Sequence, residues 1–193
     1  MNDALPARIP ATAILLAGGE SRRMGRDKAR LPWGDVTLIE HVHRQLSEHF
    51  EEVILASGTA ERYVELGLMG MPDAAGIPGP MAGVIAGLRA ARLSLCYLHP
   101  CDAPTVEPNA VRALLAALED DLDAATPSGN FPEPLGALYR RLPALQAFED
   151  AAANGEFALR AGLVRLRVVS CAEVPPPANL NTPEDLRSHP PAG

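Results

Sequence analysis

The sequence predicts an α/β protein in which helices cover a mostly parallel sheet. Three observations carry this expectation. The apolar runs are short, segments of helical periodicity separate them, and the first run breaks at paired glycines. The 193 residues are 47% apolar and 21% charged, enough for one sizeable core, so a single domain spanning residues 1–193 is expected.

Taken in order, Ala13 to Ala17 reads as a first strand, because an apolar run covered on both faces needs no polar alternation. Thr37 to Phe50 places Leu38, Ile39, Val42, Leu46 and Phe50 at near-helical spacing. Glu52 to Ser57 is a second strand, and Ala60 to Leu66 is expected to form a short helix before a stretch rich in glycine and proline. The next helix starts near Pro80, a residue suited to a first helical turn, and its Ala82, Gly83, Ala86 and Gly87 permit close packing on a sheet. Leu93 to His99 is the third strand, followed through Pro100-Cys101-Asp102 by a helix from about Pro108 to Leu118. Strands are further expected at Ala124 to Pro127, Pro134 to Arg140 and Val164 to Ser170, and a helix at Pro143 to Asn154. Thr182-Pro183-Glu184-Asp185 resembles the start of a closing helix: a cap, a proline and two acids.

The net charge of −7 argues against a nucleic-acid or membrane-surface partner. Together with the lack of a long uninterrupted apolar run or a signal-like N-terminus, this makes the cytoplasm the expected location. Cys96, Cys101 and Cys171 are odd in number and lack CxxC spacing, so they read as reduced thiols. His41 and His43 do not face together on a helix and make a poor metal pair. His99, beside the third strand's end, is read as structural. No heptads or long apolar strip appear, and a monomer is expected.

Against this acidic background, Arg22, Arg23, Arg26, Lys28 and Arg30 put five cations within nine positions, directly after Gly18-Gly19. Consecutive glycines let the backbone turn sharply and bring N–H groups against a bound anion. Read alone, the segment is either such a cradle or a hairpin of solvated basic residues. Neither GxxxxGK[ST] nor GxGxxG is present, which argues against a P-loop kinase and a Rossmann dehydrogenase. Asp102 falls just past a strand's C-terminal end, where open α/β sheets bind their ligands.

The segment LAGGESRRMGRDKARL, Leu16 to Leu31, resembles the signature LAGGxSxRMGxDKxxL of the nucleotidyltransferases that act on the molybdenum cofactor, in their guanylyltransferase branch. Every fixed position is met. The likeness continues through PGPMAG (Pro78 to Gly83), PCDAP (Pro100 to Pro104), EPLGALY (Glu133 to Tyr139) and NLNTPEDL (Asn179 to Leu186), and so covers almost the whole chain. The resemblance implies a three-layer Rossmann-like nucleotidyltransferase fold, with a nucleotide-binding half over about 11–105 and an acceptor-binding half over about 106–187. It also implies transfer of GMP from GTP to molybdopterin with release of pyrophosphate. Implied protein partners are transient ones, namely cofactor-insertion proteins or molybdoenzymes.

By the same resemblance Leu16, Ala17, Gly18 and Gly19 form the nucleotide loop, and Lys28 lies on the phosphates. Arg23 is a candidate guanidinium fork on the same oxygens, while Arg22, Arg26 and Arg30 read as rim residues. Asp102 is the expected Mg2+ ligand, since that ion uses one or two carboxylates plus substrate phosphates; a helix N-cap is the other reading. Asp73 matches an aspartate that contacts the nucleoside, with a plain loop turn as the alternative. Asn179 and Asn181 match asparagines facing the pterin, or cap the closing helix. Ala56 stands where some relatives carry an asparagine, which removes side-chain readout of the base at that point. Competing readings are cytidylyl transfer to the same pterin and a non-catalytic nucleotide or cofactor carrier; the glycine at position 18 and the pair Lys28 and Asp102 speak against them.

Overall fold

The computed structural model describes residues 8–18, 27–129 and 131–180. Strand β1 (Ile9–Leu16) is followed by a single 3-10 turn at Lys28–Arg30 and a small antiparallel ribbon of β2 (Pro32–Trp33) and β3 (Val36–Thr37). Helix α1 (Leu38–His49) starts at a capping box: Glu40 accepts from both the backbone N–H of Thr37, at 2.8 Å, and its hydroxyl, at 2.6 Å. Its buried stripe is Leu38, Ile39, Val42 and Leu46, and Phe50 already belongs to β4 (Phe50–Gly58).

The segment after β4 departs from the expected helix. Ala60 to Leu66 forms turns and one 3-10 turn at Val64–Leu66. Local side chains are drawn elsewhere: Tyr63 is fully buried, and Arg62 donates back to the Ser57 carbonyl at 3.2 Å. The short β5 (Met71–Pro72) leads to α2 (Pro80–Ala90), which has proline in its first turn, and β6 (Leu95–Pro100) precedes α3 (Pro108–Ala117). The remaining elements are β7 (Ala124–Pro127), β8 (Ala137–Arg140), α4 (Arg141–Ala153), α5 (Leu159–Leu163) and β9 (Val168–Cys171). Residues 164–167, read from sequence as the start of a strand, are turn and irregular chain, because the short helix α5 directly precedes them. The capping sequence at Thr182 lies outside the described residues.

The described strands form one seven-stranded sheet in the order β5-β4-β1-β6-β8-β7-β9. Within it only β8 runs against its neighbours, so the sheet is mostly parallel. Ala11, Ala13, Leu15 and Tyr97 face the layer of α1 and α3, whereas Ile14, Cys96 and Leu98 face α2, α4 and α5. Three layers result, as expected. No helix among the described residues is long and apolar enough to cross a membrane.

Close packing of α2 on β1 rests on Gly87. A Cβ there would lie 2.5 Å from Ile14 Cγ2 and 3.0 Å from Cδ1, inside normal contact, and a β-branched side chain has few rotamers with which to yield. Gly87→Ala is therefore expected to lower stability by up to about 2 kcal/mol, since an overpacking cost of ~1–3 kcal/mol is set against a helix-propensity gain of ~1 kcal/mol. Urea unfolding checks this; a more stable variant would show that the layers yield freely.

Candidate active site

The ends of the three central parallel strands are stitched together beyond the regular ladder. Ala17 N–H donates to Ala56 O at 2.8 Å, and Cys101 N–H donates to Leu16 O at 3.0 Å. These two bonds bring the residues after β1, β4 and β6 to one edge of the sheet, with Leu16, Ala17 and Gly18 at its centre.

On the β4 side, Asp73 is tied to the sheet by its N–H, which donates to Gly58 O at 3.3 Å. Its carboxylate lies against two glycines: a Cβ on Gly18 would come within 3.3 Å of Asp73 Oδ1, and one on Gly83 within 3.4 Å of the same atom. That oxygen is buried and has no hydrogen-bond partner among the described residues. Burial pushes the Asp73 carboxyl above its ordinary pKa, and the Arg62 guanidinium pulls it back. A buried acceptor left open in this way is costly unless a donor comes to meet it. Ala56, fully buried, contributes only a methyl group to the same corner, 3.4 Å from the position of a Gly83 Cβ.

On the β6 side, Lys28 Nζ is 3.6 Å from Asp102 Oδ2 and donates to Leu180 O at 3.0 Å. The peptide N–H of Leu180 in turn donates to Asp102 O at 2.7 Å. Residues from three distant stretches thus meet at one point, with Asn179 exposed beside it. Asp102 does not cap α3: the N-cap position is Glu107, so that alternative reading of Asp102 falls away. Among the described residues no group of three or more His, Cys, Asp or Glu side chains is arranged to hold a metal. Asp102 is a single carboxylate facing a lysine, a donor set suited to an ion that completes its shell from phosphates and water.

A support for Lys28 was not read from the sequence. Asp27 Oδ1 accepts from Ala29 N–H at 3.1 Å, starting the 3-10 turn that carries Lys28. Asp27 Oδ2 accepts from Arg62 Nη2 at 3.0 Å and from the Tyr63 hydroxyl at 3.0 Å. The only cue was the position of Asp27 beside Lys28 in the signature. Arg30, read as a rim residue, is engaged by Glu65 and lies 5.1 Å over the Tyr63 ring. Gly19, Arg22, Arg23, Arg26 and Asn181 lie outside the described residues.

His99 is buried against α3, and its Nε2 lies 3.0 Å from Ala103 O, so that nitrogen carries the hydrogen. Burial lowers its pKa to about 4, which keeps the imidazole neutral at pH 7. An unfolded histidine, with pKa ~6.5, binds the proton more readily, so stability is complete above that value and is lost as pH falls towards about 4. Thermal melts at pH 7 and pH 5 should show a loss of roughly 2 kcal/mol that His99→Gln does not share. Equal acid sensitivity in both proteins would place the effect in other groups. The thiols of Cys96 and Cys101 are pushed up to about 12 by burial, and all three cysteines are free.

An open sheet of this order, gathering Gly18, an open carboxylate oxygen and an ammonium–carboxylate pair at its central strand ends, is the frame of a nucleotide-binding α/β enzyme of the nucleotidyltransferase class. Comparison with known proteins narrows the class. The MobA-like NTP transferase domain matches residues 13–166, and the chain belongs to that family. It is 37% identical over 198 aligned residues to the molybdenum cofactor guanylyltransferase of Pseudomonas putida KT2440, covering 97% of this chain and all of that protein. The protein of the same description from Pseudomonas aeruginosa UCBPP-PA14 is 36% identical, with 97% of each chain covered. Among solved structures, the molybdopterin-guanine dinucleotide biosynthesis protein A of Archaeoglobus fulgidus superposes with a TM-score of 0.77 at 27% identity, covering 92% of this chain and 95% of that one. The 2-C-methyl-D-erythritol 4-phosphate cytidylyltransferase of Thermus thermophilus shares the fold, at TM-score 0.72 and 21% identity over 93% and 96% of the two chains.

Proposed function

We propose that this protein transfers GMP from GTP to molybdopterin, forming the guanine dinucleotide of the cofactor and releasing pyrophosphate. The observation that carries the proposal is the meeting of Lys28 and Asp102, 3.6 Å apart, on the sheet edge that also holds Gly18 against the open Asp73 oxygen. Full-length similarity to guanylyltransferases supports the choice of substrates.

In the reaction a phosphate oxygen of the acceptor forms a bond to the α-phosphorus of GTP, and the bond from that phosphorus to the bridging oxygen of pyrophosphate breaks. A phosphate monoester has a second pKa of about 6 and is already largely dianionic at pH 7, so no general base is required. What the site must supply is position and countercharge. Gly18, with Gly19, lets the nucleotide approach the backbone closely. Lys28 neutralises the phosphate chain, and Arg23 braces it with a planar fork. Asp73 Oδ1 accepts from the N–H edge of guanine or from a ribose hydroxyl. Asp102, with the phosphate oxygens, would hold Mg2+, which supplies screening of the gathered negative charge. Asn179 and Asn181, by their match to the family's asparagines, are assigned to the acceptor.

On this reading residues from about 11 to 105 serve the nucleotide and those from about 106 to 187 the acceptor. The protein acts as a cytoplasmic monomer and meets cofactor-insertion proteins or molybdoenzymes only in passing. The deciding experiment incubates it with Mg2+, molybdopterin and either GTP or CTP, followed by mass analysis of the pterin. A GMP adduct with GTP and little product with CTP is expected; a CMP adduct or no adduct would overturn the proposal.

A further inference from the structure

Lys28 stands between two carboxylates. Asp102 Oδ2 is 3.6 Å from its ammonium, and Asp27 directly precedes it in the chain. A triphosphate can claim that ammonium only where the neighbouring negative charge is balanced by another group. The 3-10 turn that carries Lys28 is three residues long, too short to fix a flexible four-carbon stem by itself.

Both needs are met from the stretch that ends β4 and follows it. Asp27 Oδ2 accepts from Arg62 Nε at 3.2 Å and from Nη2 at 3.0 Å, a fork closing on one oxygen, and from the Tyr63 hydroxyl at 3.0 Å. The remaining guanidinium nitrogen, Nη1, donates to Ser57 O at 3.2 Å, so the planar group is held from two sides. Tyr63 is fully buried, and its hydroxyl also lies 3.4 Å from Ala17 O in the nucleotide loop. The Arg62 guanidinium stands 5.4 Å over the Tyr63 ring, a cation–π contact that orients both. The side chains of Arg62 and Asp27 are only 25% and 21% exposed, so water screens their attraction in part. Arg62 reaches the nucleoside corner as well: a Cβ on Gly58 would lie 3.9 Å from Arg62 Nη1 and 3.7 Å from Asp73 Oδ2. One cation thus holds the carboxylate that starts the Lys28 turn and borders the carboxylate assigned to the nucleoside.

We infer that Arg62 is a positioning residue of the transfer reaction: by engaging Asp27 it fixes the Lys28 turn and keeps the Lys28 ammonium available to the phosphate chain, with Tyr63 as a second arm. Without Arg62, the Asp27 charge is left beside Lys28 and competes with the phosphates for it. The inference rests on the proposed contact of Lys28 with the triphosphate and adds which groups keep that contact in place. Arg62 is assigned no contact with the substrate and acts through Asp27.

The test is a double-mutant cycle, read by titrating the full-length protein with GTP and with GMP in the presence of Mg2+. Arg62→Met keeps the apolar stem and removes the fork and its charge. It is expected to weaken GTP binding about tenfold and GMP binding less than about twofold. Arg62→Lys returns the charge without the fork and should bring GTP affinity back to within about threefold of wild type. In a Lys28→Ala background, Arg62→Met should cost GTP less than about a further twofold, because the group it positions is gone. Tyr63→Phe removes only the hydroxyl; it should show the same pattern at about threefold, and it keeps the test decisive if Arg62→Met folds poorly. Equal losses for GTP and GMP, or losses that persist undiminished beside Lys28→Ala, would overturn the inference and leave Arg62 a brace of the fold, with the phosphate role of Lys28 intact. A Lys28→Ala protein that binds GTP as tightly as wild type would strike that phosphate role itself, and the inference with it.

Discussion

Asp102→Asn should lower turnover by about three orders of magnitude, the scale seen when one preorganised electrostatic partner of a transition state is lost, while GTP still binds. The substitution nearly preserves shape, and the backbone carbonyl of Asp102 still accepts from Leu180 N–H, so the segment around Leu180 stays anchored. What disappears is the negative charge 3.6 Å from Lys28 and with it the hard anionic oxygen a divalent ion needs. Pyrophosphate release reads the turnover, and equilibrium dialysis reads the GTP affinity. Unaltered turnover would remove Asp102 from the reaction. Loss of GTP binding to the same degree as turnover would make it a binding group only.

Lys28→Ala has the second large effect: a loss of roughly 100-fold in GTP affinity with less than about threefold for GMP, because on the proposed reading the missing charge faces the β- and γ-phosphates. Lys28 also donates to Leu180 O, so its removal loosens the segment that ends there. The two ligands separate these contributions. A slackened segment weakens GTP and GMP alike, whereas a lost phosphate contact weakens the triphosphate alone. Parallel titrations with both nucleotides give the answer, and equal losses would place Lys28 in a tethering role only.

Most of the frame was legible from apolar patterning, because α1 buries a regular stripe while α2 and the central strands β1 and β6 are buried nearly all round and read as continuous apolar runs. The failures are physical. Ala60 to Leu66 looks helical on composition, yet Arg62 and Tyr63 are recruited by Asp27, and nothing in one sequence links position 27 to positions 62 and 63. Helix α5 is only five residues long, too short to show a period, and it borrowed the strand-like look of Val164 onward. In the site, Gly18, Lys28 and Asp102 were readable because they sit inside long signatures. The open oxygen of Asp73 depends on two glycines far apart in the chain, Gly18 and Gly83. It is a product of tertiary packing that no local pattern announces.

Leu180 tethers Asp102 to Lys28. Both of its bonds are made by peptide atoms, N–H to Asp102 and carbonyl to Lys28, while the side chain itself is merely a buried apolar plug at 3% exposure. An apolar side chain of similar volume, such as isoleucine or methionine, should therefore fill the same space, although the strut between Asp102 and Lys28 runs through the same residue. Only proline, which deletes the amide hydrogen, would expose what the position does.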